Sequence, residues 1–152
     1  MATTDAEIFV DTNIWLYATD PASPWNMSAS EALDRLQASG QRLVMSPQVV
    51  REYLAVATRP GVIEPAPSLP DLLANVANIR ARCRLVDDTL AVVDELVRLL
   101  AAIPTTHRCV HDANIVATML VWSVPRLLTH NTRDFERYTH LIEIVPLVSP
   151  QL

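Results

Sequence analysis

The chain has 152 residues, of which 50% are hydrophobic, and it carries a formal net charge of −5 at pH 7. This size and apolar content are typical of one compact domain, expected here over residues 1–152, and the negative charge argues against a broad basic surface for nucleic acid. All 12 basic residues are arginines, which excludes enzymes that depend on a lysine, such as P-loop nucleotide hydrolases and Schiff-base enzymes.

The first part of the chain predicts two strands and three helices. An apolar strand is expected over residues 7–10, followed by a short helix over residues 12–19. A second helix is predicted over about residues 25–39, because Gly40 is of the type that commonly ends helices. The stretch "RLVMS" has the composition of a strand, and Pro47 suits the first turn of the helix "PQVVREYLAVATR".

The second part continues the alternation of helices and strands. The proline-rich segment "PGVIEPAPSLP" is expected to form a surface loop. Helices over residues 69–82 and 88–103 flank a strand in "CRLVD", and the helix "HDANIVATMLVWS" precedes final strands in "RLLTH" and "IEIVPL". Such alternation predicts an α/β fold, a three-layer α/β/α sandwich with a mainly parallel central sheet.

Two sequence features bear on the compartment. The longest apolar helical run, "ANIVATMLVWSV", has 12 residues, whereas a membrane span needs about 20, and no leader-like segment precedes the first strand. Cys83 and Cys109 show none of the close pairing of zinc or redox motifs. We therefore expect a soluble, cytoplasmic protein with no membrane association.

The first strand ends in an acidic residue. Asp11 directly follows an apolar run, and burying a carboxylate costs several kcal/mol unless it is paired, hydrogen-bonded or bound to a cation. The alternative is a helix N-cap, a position at which Asp is preferred. Glu52 lies on the flank of the apolar stripe of a predicted helix, where a single Glu is more often a half-exposed residue paired with Arg51, Arg59 or solvent. Taken alone, each residue favours the structural interpretation.

Acidic or amide side chains recur at two later places. Asp112 precedes apolar residues three, four and seven positions later, which directs it inward, although a negative charge also stabilises a helix N-terminus. In "LLTHNTRDF", Asn131 and Asp134 follow a strand end, and their alternative role is to cap a short helix in "FERY". In parallel α/β folds the carboxyl ends of the strands meet at one edge, so these residues are expected to lie together.

Carboxylates gathered at one place repel one another unless they take up protons or bind a cation. An all-oxygen set of side chains, with no cysteine and no clear pair of histidines, suits a hard ion such as Mg²⁺ or Mn²⁺ better than zinc. The sequence therefore predicts a divalent-metal site at the carboxyl edge of the sheet.

Four segments in order, "FVDTNIWLY", "SPQVVREYL", "VHDANIVATM" and "LLTHNTRDF", resemble the PIN domain, and especially the VapC toxins of bacterial toxin–antitoxin pairs. The resemblance covers nearly the whole chain. It implies a Mg²⁺- or Mn²⁺-dependent endoribonuclease that cleaves RNA of the tRNA or rRNA class with a metal-activated water. It also implies a VapB-like antitoxin as partner and a homodimer.

The same resemblance implies roles for individual residues. Asp11, Glu52 and Asp112 are expected to be catalytic carboxylates that bind the metal, with Asn131 as a further ligand or Asp134 as the last acidic residue. Asn131 occupies a position at which many relatives carry an acid, which leaves this choice open. The expected supporting residues are Thr12, Asn13 and Thr129. Four arginines are candidates for contacting RNA, namely Arg51, Arg108, Arg133 and Arg137.

Two rival functions compete with this prediction. A phosphotransferase with an aspartate nucleophile needs a second aspartate at the position of Asn13 and a lysine, and the chain has neither. A catalytically inactive PIN-like module that binds RNA or protein is the stronger rival, and Asn131 is the residue that favours it. Finally, we expect Trp15, Trp25 and Tyr53 to add apolar surface to the groove or the dimer, with burial in the core as the alternative.

Overall fold

The computed structural model describes residues 6–149, and within this range the side chain of Arg108 lies outside the described part. One sheet of five strands forms the centre, in the order β3-β2-β1-β4-β5, and every neighbouring pair is parallel. The strands are β1 (Glu7–Val10), β2 (Arg42–Met45), β3 (Cys83–Leu85), β4 (Arg126–Thr129) and β5 (Glu143–Pro146). The predicted sheet is confirmed and is wholly parallel.

Helices cover the two faces of this sheet. They are α1 (Thr12–Thr19), α2 (Asn26–Ala38), α3 (Pro47–Ala57), α4 (Leu69–Arg82), α5 (Leu90–Ala102), α6 (Val110–Val121) and α7 (Thr132–Phe135). The chain runs outward from β1 through β2 to β3, and it then returns to β4 on the other side of β1 and continues to β5. Because crossovers between parallel strands are right-handed, this reversal places α1–α4 on one face of the sheet and α5–α7 on the other. The three-layer α/β/α sandwich is thereby confirmed.

The central strands are apolar because the sheet is covered on both faces. Ile8, Phe9 and Val10 of β1 are 0% exposed, and so are Leu43 and Val44 of β2. Parallel strands buried on two sides read as continuous hydrophobic runs rather than as an alternating pattern, which is how these strands stand in the sequence.

Local signals account for several element ends. Gly40 has a φ of +86°, a left-handed conformation that glycine adopts at low cost after the end of α2. Pro47 occupies the first turn of α3, and the Ser68 side chain accepts a hydrogen bond from the backbone N–H of Asp71 at the start of α4. The helix predicted in "FERY" is wrong, because α7 begins three residues earlier at Thr132 and a 3₁₀ turn follows it.

Two of the three aromatic residues expected at the groove or the dimer lie instead in the core. Trp15 and Tyr53 are each 1% exposed, so that prediction is wrong for both. Trp25 is half-buried, and its ring lies 4.5 Å from that of His130. None of the helices in the described part of the chain is both long and apolar enough to cross a membrane.

Candidate active site

The carboxyl ends of β1 and β4 meet where the chain reverses its direction across the sheet. From β1 the chain proceeds to β2 on one side, whereas β4 lies on the other side and is reached only after β3. In open parallel sheets such a reversal separates the loops that follow the two strands and leaves a crevice between them. The backbone N–H of Asp11 donates to the carbonyl of Leu128 over 3.0 Å and fixes the two strand ends together.

Asp11 is buried at this edge, with 7% of its surface exposed. Its Oδ1 accepts a hydrogen bond of 2.8 Å from the backbone N–H of Thr12, so the N-cap interpretation of this residue is correct. Its Oδ2 accepts from the hydroxyl of Thr129 at 2.7 Å and from the side-chain amide of Asn13 at 3.3 Å. The three residues expected to support Asp11 are therefore its direct contacts.

Glu52 reaches the same edge from α3, where it is half-buried. Its Oε2 accepts from the hydroxyl of Thr12 over 2.9 Å, and its Oε1 accepts from the side-chain amide of Gln48 over 2.8 Å. Thr12 thus holds both carboxylates, Asp11 through its backbone N–H and Glu52 through its hydroxyl.

Asp112 lies in the first turn of α6, half-buried, and its side chain makes no hydrogen bond to the described residues. The pKa of Asp112 is raised from 3.8 to about 7, mainly because burial desolvates the carboxyl group; the negative charges of Asp11, Asp134 and Glu52 contribute to this rise, and Arg137 opposes it. Asp11, Glu52 and Asp134 therefore all lie close enough to Asp112 to affect its pKa.

Burial also raises the pKa of Asp11, from 3.8 to about 6. The hydrogen bonds from Thr129 and Thr12 oppose this rise, and the charges of Glu52 and Asp134 add to it. When nothing else balances the negative charge, Asp112 therefore titrates near neutral pH, and Asp11 titrates at a slightly lower pH.

A cavity of about 570 Å³ opens at this edge and is called the acidic cavity below. Its lining residues are Asp11, Thr12, Asn13, Leu16, Gln48, Arg51, Glu52, Ala55, Val56, Arg59, His111, Asp112 and Asn131. Asn131 thus belongs to the wall. Asp134 is exposed in α7 outside this lining, yet it is close enough to raise the pKa values of Asp11 and Asp112.

The chemistry of the acidic cavity fits a hard divalent cation. Its carboxylates and the amide of Asn131 are oxygen donors, Asp112 has uncommitted oxygens, and a cation would relieve the repulsion that raises the two pKa values. Within residues 6–149, no three His, Cys, Asp or Glu side chains are already arranged so that they could hold a metal ion. Occupation by a cation would require side chains to move.

The arginines expected to contact RNA are placed unequally. Arg51 lines the acidic cavity, and its guanidinium lies 3.5 Å from a carboxylate oxygen of Asp88. Arg137 is near enough to Asp112 to affect its pKa. Arg133 is exposed and is not part of the cavity wall, so the structure does not bring it to the site, and the side chain of Arg108 lies outside the described residues.

Two polar residues of the site, Arg59 and Gln48, were not predicted from the sequence. Arg59 lines the acidic cavity. Gln48, only 4% exposed, contacts Glu52 and also accepts a hydrogen bond from the side-chain amide of Asn114. The spacing offered one signal, because Gln48 precedes Glu52 by four residues and so shares its helix face.

Comparison with known proteins bears on the family. The sequence model of the family described as "PIN domain" matches residues 8–141. No curated protein matches the chain. The structure of VapBC2 from Rickettsia felis bound to a fragment of promoter DNA is similar, with a TM-score of 0.66 and 18% identity over 92% of this chain and 98% of that one.

Two further solved structures are similar. DNA-bound VapBC from Salmonella typhimurium has a TM-score of 0.66 at 18% identity, covering 93% of this chain and 98% of that one. VapC20 from Mycobacterium tuberculosis, described as a sarcin–ricin loop-cleaving toxin, has a TM-score of 0.59 at 20% identity, covering 79% of this chain and 86% of its own. At these identities the likeness shows a shared fold.

Proposed function

Because the chain belongs to the PIN domain family, we propose that it is a metal-dependent endoribonuclease, the VapC-type toxin of a toxin–antitoxin pair. The observation that carries this proposal is the meeting of Asp11, Glu52 and Asp112 at one cavity, although they lie on three separate elements of the chain. The proposed substrate is RNA of the tRNA or rRNA class. The similar VapC20, described as cleaving the sarcin–ricin loop, supports this choice.

We propose that Asp11, Glu52, Asp112 and Asn131 hold the cation, Mg²⁺ or Mn²⁺. Such an ion, when bound, lowers the pKa of a coordinated water and stabilises charge on the phosphodiester oxygens. The donor set supports this choice of ion, since carboxylate and amide oxygens are the ligands that hard cations prefer.

The protein's own side chains then have separate tasks. Thr129 and Thr12 donate to Asp11 and keep it oriented toward the acidic cavity. Arg51 and Arg59, which line the cavity, supply positive charge for the phosphates on either side of the cleaved bond. We assign Arg137 the same role at the side of Asp112, where its charge already lowers the pKa of that carboxyl.

The partners and the location are also proposed. The similar VapBC structures support a VapB-like antitoxin as partner. Apolar side chains on one face of α5 support a homodimer, because Leu90, Val93 and Val97 are 82%, 50% and 62% exposed. A cytoplasmic location follows from the proposed RNA substrates.

A catalytically inactive PIN-like module that binds RNA or protein is the alternative function. Two observations favour it, namely Asn131 in the cavity wall and the lack, in the part of the chain that the structure describes, of three acidic side chains already set for a metal. This alternative predicts binding without cleavage.

The test is incubation of the antitoxin-free protein with mixed tRNA and rRNA in Mg²⁺ or Mn²⁺. We expect discrete RNA fragments that disappear with excess EDTA. The rate of cleavage should fall at least about 100-fold in Asp112→Asn, because losing a direct metal ligand reduces activity more than losing a contact to a ligand does. Asp71→Asn, at an exposed position of α4, is the matched control and should cleave normally. RNA binding without cleavage in either metal would instead establish the inactive module.

A further inference from the structure

A buried glutamine at the wall of the acidic cavity has every hydrogen-bonding group of its side-chain amide in use. The Nε2 of Gln48 donates to Oε1 of Glu52 over 2.8 Å and to the backbone carbonyl of His111 over 2.9 Å. Its Oε1 accepts from Nδ2 of Asn114 over 2.6 Å. An amide has two N–H donors and one oxygen, and here both donors and the oxygen have partners.

These contacts leave the amide of Gln48 one orientation. If the amide were reversed, its oxygen would face the carboxylate of Glu52 and the carbonyl of His111, which are both acceptors. The NH₂ group would then face the amide donor of Asn114. Because a wrongly oriented buried amide loses its bonds and adds repulsion, the network selects a single state.

The glutamine also joins two layers of the fold. Gln48 lies in the first turn of α3, on one face of the sheet, whereas His111 and Asn114 lie in the first turns of α6, on the other. Its side chain passes over the carboxyl edge of the sheet. Glu52 is carried by α3 and Asp112 by α6, so the amide spans the two helices that hold these carboxylates.

We propose that Gln48 is a positioning residue, which orients the carboxylate of Glu52 and sets its separation from Asp112. The inference rests on the function proposed above, for which this separation matters. Thr12 holds the second oxygen of Glu52, so each carboxylate oxygen has one fixed donor. The remaining lone pairs are free for a cation or a water in the acidic cavity. Outer contacts of this kind commonly set the affinity of metal sites.

The competing explanation is that Gln48 only stabilises the fold, and a second buried group on α3 allows the two to be separated. The hydroxyl of Tyr53 hydrogen-bonds with that of Thr19 at 2.8 Å and accepts from the amide of Asn75 at 3.2 Å. It lies on the same helix but outside the wall of the acidic cavity. Tyr53→Phe therefore removes buried hydrogen bonds without touching Glu52.

The experiment compares Gln48→Met, an unbranched apolar replacement of similar length, with Tyr53→Phe and the parent protein. We expect Gln48→Met to lower kcat for RNA cleavage by about 10- to 100-fold, with KM changed less than about 3-fold, and to weaken Mn²⁺ binding about 10-fold in calorimetry. Tyr53→Phe should lower the melting temperature about as much as Gln48→Met does, but its kcat and its Mn²⁺ affinity should stay within about 2-fold of the parent protein.

Asn114→Ala is the second variant, in case Gln48→Met does not fold. It removes only the outer partner of Gln48, and we expect about a 3- to 10-fold loss of kcat and of Mn²⁺ affinity. Unchanged kcat and Mn²⁺ affinity in the folded variants, or equal losses in Tyr53→Phe, would overturn the positioning role. If the parent protein cleaves no RNA, the nuclease proposal fails, and weaker Mn²⁺ binding by Gln48→Met alone would still support the positioning role.

Discussion

The two halves of the acidic cavity differ in how the protein holds their side chains. In the anchored half, Asp11 and Glu52 each accept hydrogen bonds at both carboxylate oxygens. The free half consists of Asp112 and Asn131 in the cavity wall and of Asp134, which is exposed outside the wall; their side chains make no hydrogen bonds to the residues that the structure describes. Folding therefore fixes one half of the site and leaves the other half free to adjust to a ligand.

The raised pKa values of Asp11 and Asp112 reflect this difference. Asp11 is the more buried residue, yet its pKa is raised only to about 6, because the hydrogen bonds from Thr129 and Thr12 favour its charged form. Asp112 lacks such donors, and its pKa is raised to about 7. Hydrogen-bond donors thus offset part of the effect of burial at Asp11 and none of it at Asp112. We infer that the free half depends more strongly on a cation for its negative charge.

Apart from the loss of the proposed ligand Asp112 itself, the largest effect should come from breaking the anchored half. Thr129→Val keeps the shape of the side chain but removes the 2.7 Å hydrogen bond to Asp11. We expect a loss of about 1–3 kcal/mol in the free energy of unfolding and a fall of cleavage by about 10- to 100-fold. Denaturant melts and single-turnover cleavage measure the two quantities.

Thr118→Val is the matched control for this substitution. Thr118 is 0% exposed and donates to the carbonyl of Asn114 in its own helix at 2.8 Å, away from the carboxylates. The Thr118→Val variant should be less stable than the parent protein but should cleave RNA at a rate within about 2-fold of it. If Thr129→Val and Thr118→Val lose cleavage equally, Thr129 acts only through stability and the anchored half has no special role.

How much of this site the sequence predicts depends on the range of the interactions. Asp11 and Asp112 can be recognised in the sequence because the end of a strand and the spacing of apolar residues in a helix are both local patterns. A parallel sheet then brings the loops after its strands to one edge. The Gln48 network cannot be found in this way, because it joins Gln48 to His111, which lies 63 residues later in the chain. The assignment of "FERY" as a helix failed for a local reason, since Thr132, Arg133 and Asp134 form the helical turn instead and periodicity does not locate so short an element.

A second prediction concerns pH and tests the electrostatics of the free half. The folded-state pKa of Asp112, about 7, exceeds its ordinary value of 3.8, so the folded protein retains this proton more tightly than the unfolded chain. This tighter proton binding adds to the free energy of unfolding below about pH 4, and the contribution is lost as the pH rises through about 7. Asp112→Asn cannot lose a proton and should escape this loss.

We therefore expect metal-free Asp112→Asn to melt about 2–4 °C above the parent protein at pH 8, with the difference vanishing at pH 4. Excess Mn²⁺ at pH 8 should reverse the order, because only the parent keeps the full set of ligands. Melting curves at several pH values provide the measurement. A difference that stays constant between pH 4 and pH 8 would show that Asp112 is not electrostatically strained.

The smallest effects should distinguish Asn131 from Asp134 within the free half. Asn131 lines the acidic cavity, whereas Asp134 is exposed outside its wall and acts on Asp11 and Asp112 through its charge. A ligand is lost completely on truncation, but an exposed charge is screened by solvent and salt. We expect Asn131→Ala to weaken Mn²⁺ binding about 10-fold and Asp134→Asn only about 2- to 3-fold.

Salt separates these two roles further. Raising the ionic strength from about 0.05 to 0.5 M should remove most of the effect of Asp134→Asn, since screening shortens the range of its charge, and should leave the effect of Asn131→Ala intact. Calorimetric titration with Mn²⁺ at both salt concentrations gives the comparison. A larger, salt-independent loss in Asp134→Asn would identify Asp134 as the direct ligand, in which case α7 must move toward the cavity when the cation binds.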